Sequence, residues 1–293
     1  MAVLRKETNM ETNISELDLE DEGVPIMIMD TEHHGKVWLH SHSFYEIVYI
    51  DKGFSMHSCN DEITILTSGD LFVIRPGEVH AYISAHHTYL YNCLFYKEAL
   101  GEYLDEIVKL PGMGQVFGER QSKWEKLHLD FAERREVLLY LEKMKWEQVN
   151  RCTGWEINIK SLLAGFLVLY SRLFENHSPG AKANNKSAHL PHVHNCLKYL
   201  EENYQRDFLM KEMADAVRLS PDYISRQVRN VIGLTPVEYL RNFRVAKAME
   251  KLKTTNMPVS EIAKSSGFGD VSNFSRQFKQ VVGVPPTVFR RDV

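Results

Sequence analysis

The period of apolar and polar positions changes along this chain. Between Pro25 and Tyr96 it follows short β-type runs, Glu46-Ile-Val-Tyr-Ile50, Glu62-Ile-Thr-Ile-Leu66 and Leu71-Phe-Val-Ile74, divided by Asp-Lys-Gly, Ser-Gly-Asp and Pro-Gly turns. Short strands at this spacing predict an antiparallel barrel or jelly roll. Beyond Pro111 the period becomes helical, with two long proline-free stretches over 131–150 and 155–174. Asn176 to His189 contains almost no large apolar side chain and predicts an exposed linker. From Pro191 onward the pattern is helical throughout, opening with Val193, Leu197, Leu200 and Tyr204 on one face. The expected fold class is therefore α+β and multidomain. Its parts are a flexible acidic arm over 1–24, a barrel over 25–110, a helical region over 111–177 that pairs two subunits, a linker over 178–190 and an all-α module over 191–293.

The all-α module repeats itself. Ile224 to Pro236 reads ISRQVRNVIGLTP and Phe274 to Pro286 reads FSRQFKQVVGVPP, each preceded by a matched piece, Glu212-Met213-Ala214 and Glu261-Ile262-Ala263. Each unit is a short helix, a turn and a longer helix, which is the helix-turn-helix layout. In the first unit Ser220 caps the longer helix, Pro221 opens it and Gly233 ends it. Ile224, Val228 and Val231 point inward, leaving Asp222, Ser225, Arg226 and Arg229 outside. In the second unit Phe274, Phe278 and Val281 point inward, leaving Val271, Ser272, Asn273, Arg276 and Lys279 outside. Short polar groups at a helix N-terminus, with Arg one turn on, suit a helix in the major groove of duplex DNA. Between the units, Thr235-Pro236-Val237-Glu238 is a capping box opening a helix to about Lys253, a rod of roughly 27 Å that can set two reading helices near one turn of duplex apart.

Charge agrees once it is divided. Residues 191–293 carry 16 Lys and Arg against 11 Asp and Glu, a balance of +5, and the rest of a chain of net charge −4 holds −9. A basic module on an acidic body is expected where one domain meets phosphate. The four cysteines, Cys59, Cys93, Cys152 and Cys196, form no C-x-x-C pair and are expected to be reduced, buried thiols. The longest uncharged run, Ser161 to Ser171, has 11 residues, and the acidic N-terminus has no apolar stretch of signal-peptide type, so a cytoplasmic protein without a membrane partner is expected.

The stretch from about Pro191 to Arg291 resembles the AraC/XylS family of bacterial transcription regulators. The family pattern stands in the second unit as Ile262-Ala263, Gly267-Phe268, Phe274-Ser-Arg-Gln-Phe-Lys279 and Gly283-Val-Pro-Pro286. The resemblance implies that both longer helices contact promoter DNA, with RNA polymerase as a further partner. The first unit departs from the pattern at Arg218, in the turn position of Gly267, and at Gln227 with Val228 in place of the usual apolar pair. A non-glycine residue at positive φ costs about 1 kcal/mol, so the first unit is expected to be the less rigid reader.

The barrel has its own constellation: Gly35, His40, His42, Glu46 and Gly53, then Gly69, Pro76-Gly77 and His80. It resembles the paired motifs of the cupin superfamily, whose enzymes hold a divalent metal with three His and one Glu, and it departs from them at Arg75 and Ser84. Alternation puts His40, His42 and Glu46 on one strand face. Two readings stand: His40, His42, Glu46 and His80 hold a divalent metal, or with Trp38, Arg75 and Tyr82 they line the pocket of a small-molecule effector. Arg75 would meet a carboxylate or phosphate, aromatic rings would stack on a sugar face, and a sugar or sugar derivative is the favoured effector. His33, His34, His86 and His87 are taken as surface residues. The expected protein is a ligand-responsive, homodimeric transcription regulator requiring no cofactor; the alternative is a metal-dependent cupin isomerase or oxygenase fused to a DNA-binding module.

Overall fold

The computed structural model describes residues 19, 23–60, 62–118, 126–177, 191–232 and 234–292, with the backbone alone at 34–36, 38, 84–87, 191, 194, 231 and 292. Six strands form one antiparallel sheet: β1 (Ile26–His40), β2 (Tyr45–Cys59), β3 (Glu62–Thr67), β4 (Asp70–Ile74), β5 (His80–Phe95) and β6 (Lys126–His128). Their order is β1-β5-β2-β4-β6, with β3 also paired to β2. The three strands of 15 or 16 residues carry the bend, and β2 shifts register against β5 after Ile50, after Lys52 and after Met56. Such bulges sharpen twist and reverse which face a side chain takes. Ahead of them Val48 and Ile50 point into the barrel with Phe72, Ile74, Tyr82 and Leu90. Beyond the first two of them Phe54 and Met56 point out.

A 3-10 helix (Lys97–Tyr103) and two short helices, α1 (Leu104–Ile107) and α2 (Met113–Phe117), lead to β6. Asp70 holds β6 in place: its buried carboxylate accepts from Lys126 Nζ at 2.6 Å, meets His128 Nδ1 at 2.8 Å and accepts the Thr67 amide at 2.7 Å. Burial alone would raise its pKa, but Lys126 and His128 outweigh burial and hold it down at about 2. Two long helices follow, α3 (Phe131–Asn150) and α4 (Trp155–His177), the first opened by an Asp130/Glu133 capping box. Val137, Leu141 and Met144 of α3 and Ile159, Leu163, Phe166, Tyr170 and Leu173 of α4 repeat every three or four residues. They pack with Ile47, Tyr49, Tyr91 and Phe95 on the outer face of the sheet. By length and composition α4 is apolar enough to cross a membrane, yet much of its apolar surface belongs to this core.

These contacts bear on two expected boundaries. β6 and the two long helices, within the expected helical region over 111–177, share one core with the strands. Of the arm over 1–24, Leu19 packs on Phe44 and Leu94, and Val24 joins the sheet core, so its end is built into the barrel. The linker over 178–190 lies outside the described residues.

The C-terminal module is α5 (Pro191–Glu202), α6 (Met210–Val217), α7 (Pro221–Ile232), α8 (Pro236–Thr254), α9 (Val259–Ser265), α10 (Val271–Val282) and α11 (Pro286–Asp292). α8 is the expected rod, with the Thr235/Glu238 capping box formed and Lys251 and Lys253 in its last turn. Its buried residues, from Tyr239 to Leu252, lie on several sides because helices of both units and the barrel pack around it. Cys59, Cys93 and Cys196 are buried; Cys152, against expectation, is exposed.

Candidate effector site and nucleic-acid interface

Four histidines and one glutamate converge inside the barrel. His42, in the loop between β1 and β2, is held by Nδ1 against the Phe44 carbonyl at 2.8 Å, while its Nε2 lies 3.0 Å from Glu46 Oε2. With Nδ1 donating to a carbonyl, Nε2 is the ring nitrogen left facing the carboxylate. Across the barrel His80 Nε2 lies 3.7 Å from the same Glu46 oxygen. One donor atom each from His42, Glu46 and His80 fits within 4.8 Å of the others, all three side chains buried. The His40 ring stands 4.2 Å from that of His80, so the structure brings together all four residues of the candidate set.

Two residues extend this cluster that sequence reasoning missed. His57 places Nε2 3.4 Å from His80 Nδ1 and packs its ring 5.0 Å from Tyr82. Burial, reinforced by His40, pushes its pKa down to about 3, and burial followed by the neighbouring histidines lowers that of His80 well below the usual imidazole range. Both rings are thus neutral, with lone pairs to offer. Asn92 lies on β5 opposite Val48, on the inward face, and its buried Oδ1 has no hydrogen-bond partner. Simple alternation from Glu46, Val48 and Ile50 would put His57 on the outer face; the register shifts of β2 against β5 turn it inward.

The other candidates differ in their surroundings. Arg75 is buried and bonds Glu78 Oε1 through Nε at 3.2 Å and Nη2 at 2.8 Å, so a turn occupies its guanidinium instead of leaving it at a barrel mouth for a ligand anion. Tyr82 faces inward and is buried, which raises its pKa well above the usual phenol range. His33, expected at the surface, is buried against the Tyr82 ring at 5.0 Å. The side chains of Trp38, His34, His86 and His87 lie outside the described residues.

The second candidate surface belongs to α7 and α10. In α7, Ile224, Val228 and Ile232 are buried while Asp222, Arg226 and Arg229 are exposed and Ser225 is half-buried. The side chain of Val231 and the residue Gly233 lie outside the described residues. In α10, Phe274, Phe278, Val281 and Val282 are buried, Val271, Ser272, Arg276 and Lys279 are exposed and Asn273 is half-buried. Asp270 caps α10 by accepting the Asn273 amide at 2.7 Å, and Asn273 Oδ1 accepts from Arg276 Nη2 at 3.1 Å and Gln277 Nε2 at 2.7 Å. Aligning the two S-R-Q cores sets Tyr223, exposed on α7, at the position of Asn273, a surface residue missed above.

Comparison with known proteins gives two family models, an AraC-like ligand binding domain over residues 29–138 and a helix-turn-helix domain over 213–292. The chain is 28% identical over 251 residues to the HTH-type transcriptional activator RhaR of Enterobacter sp. (strain 638), covering 86% of each. It is 26% identical over 252 residues to the activator RhaS of Pectobacterium carotovorum subsp. carotovorum (strain PC1), again covering 86% of each. Among solved structures it is similar to ToxT from Vibrio cholerae O395, with 12% identity and a TM-score of 0.35 over 91% of this chain and 97% of that one.

Proposed function

We propose, from the premise that this chain belongs to the AraC family of transcription regulators, that it activates promoters in response to a small molecule bound inside the barrel. The family membership makes it a regulator and not an enzyme, since relatives matching 86% of the chain are transcriptional activators. In this reading α7 and α10 enter successive major grooves, Asn273 and Arg276 read base edges, Arg226, Arg229 and Lys279 meet bases or phosphates, and RNA polymerase is recruited nearby. The convergence of His40, His42, Glu46, His57 and His80 on one buried point supports an effector site there. Its donors and the open Asn92 carbonyl suit a polyhydroxylated ligand such as a sugar or sugar derivative. Loss of the effector response in His80→Ala, with basal DNA binding retained, is the expected result; unchanged induction would reject this site.

The donor set also fits a divalent metal. His42, Glu46 and His80 would hold it, and the Nδ1 bond of His42 to the Phe44 carbonyl is the outer contact that fixes a metal-binding imidazole. A bound metal would supply a Lewis-acidic anchor for effector oxygens. Metal analysis of protein purified without chelator tests this: Mn, Fe, Ni or Zn near one per chain in the parent, lost in Glu46→Gln, is expected.

For the homodimer, Leu139, Trp146 and Val149 of α3 are exposed at helical spacing, an apolar stripe suited to a second copy, and Ile157 of α4 is exposed as well. Sedimentation of Trp146→Glu should show a monomer where the parent shows a dimer.

A further inference from the structure

The barrel touches both helix-turn-helix units. Outside the sheet, Phe54 and Met56 of β2 and Ile63 and Ile65 of β3 are buried in one cluster with Ile224, Val228, Tyr239, Leu240, Phe278 and Val281, and Ile83 of β5 packs against it. Three helices rest on three strands: α7 on β2, α8 on β3 and α10 on β5. The Phe54 ring meets Tyr239 edge-on at 6.3 Å. Meanwhile Asp222, Arg226, Arg229, Arg276 and Lys279 stay exposed, so docking leaves most of both reading faces open.

On the reverse of the same strand segments lies the polar cluster. His57 follows Met56 on β2, Tyr82 precedes Ile83 on β5, and the two strands pair there, His57 opposite Tyr82 and Cys59 opposite His80. The register shift between Met56 and His57 leaves Ile83 as an extra residue on β5; His57 and Tyr82 meet inside while Met56 and Ile83 pack outside, so whatever moves the inner pair moves the outer pair joined to it along the backbone. Within the helical module α8 connects the two units; the sheet spans the same two units from another side.

We infer that the barrel is a brace that fixes the orientation of the two reading helices relative to each other, and that the interior site acts on DNA binding by shifting the β2 and β5 segments under α7 and α10. The inference rests on the reading that both units contact DNA. A braced pair engages its second half-site at high effective concentration; an unbraced pair loses that advantage without losing either single contact.

The test uses the full chain and a duplex selected by it from a random pool, together with two derivatives in which one half or the other is scrambled. In Met56→Ser/Ile83→Ser, affinity for the intact duplex is expected to fall about tenfold while affinity for each half-scrambled duplex stays at the parent value. Met56→Leu/Ile83→Val, which keeps the apolar contact, is expected to bind the intact duplex as the parent does. Ile83→Ser alone repeats the test at a half-buried position should the serine pair not fold. If scrambling either half leaves the parent unaffected, the two-unit reading fails and the brace with it. If both halves matter to the parent and the serine variants still bind the intact duplex within about twofold of it, the brace alone is overturned.

Discussion

The two helix-turn-helix units share a sequence pattern and differ in how they satisfy it. In the second, Gly267 takes φ +84° beneath the Tyr204 carbonyl, which a Cβ would approach to 2.3 Å, with Arg244 Nε at 2.7 Å from it. Phe274 packs edge-on to Phe278 at 5.5 Å and beside Phe268 at 5.0 Å, and Asp270 caps α10 through a 2.7 Å bond. In the first, Arg218 takes the same left-handed turn at φ 58°, aliphatic Ile224 and Val228 fill the core, and the Ser220 cap bond is 3.3 Å. The turn conformation is thus common to both, and the side chain that tolerates it is not. An arginine bears the conformational cost where there is room for a Cβ; glycine is required where a carbonyl closes over it.

Six substitutions would break or sharpen this contrast. Phe278→Ala should have the largest effect, about 3–5 kcal/mol in denaturant unfolding of the full chain, against about 2 kcal/mol for Val228→Ala. Equal losses would mean that the units are equally packed. Gly267→Ala should cost about 2–3 kcal/mol, since it adds a clash to a strained φ, and should lower the thermal midpoint as well. On DNA, Asn273→Ala should lose about 1–3 kcal/mol of operator affinity and relax sequence preference, and Ser225→Ala less than about 1 kcal/mol, measured by competition against scrambled duplex. Arg218→Gly should raise stability by at most about 1 kcal/mol, because relief of the left-handed strain is partly offset by the flexibility of glycine when unfolded.

Much of the architecture was readable from periodicity. The long helices begin where the spacing predicts, and the rod opens on the expected capping box because its chemistry is local, Thr235 and Glu238 being three residues apart. His40, His42, Glu46 and His80 were legible as a set, and the structure brings them together. His57 was not, because register shifts after Ile50, Lys52 and Met56 decide which way it points, and a shift of one residue reverses every side chain beyond it. Arg75 was misjudged for a related reason. Its partner, Glu78, is three residues away, and only the turn geometry brings the carboxylate onto the guanidinium.

By itself the sequence determined the repeated helices, the Ser220 cap and the Thr235/Glu238 capping box, the turn at Arg218 and the His and Glu positions of the barrel. These depend on intervals of a few residues, over which backbone geometry is nearly independent of the rest of the fold. Only the tertiary structure decided that Phe54, Met56, Ile63 and Ile65 meet the helical module while His57 meets His80. An apolar residue specifies that it be buried but not against what, and here the partners are elements more than a hundred residues away along the chain.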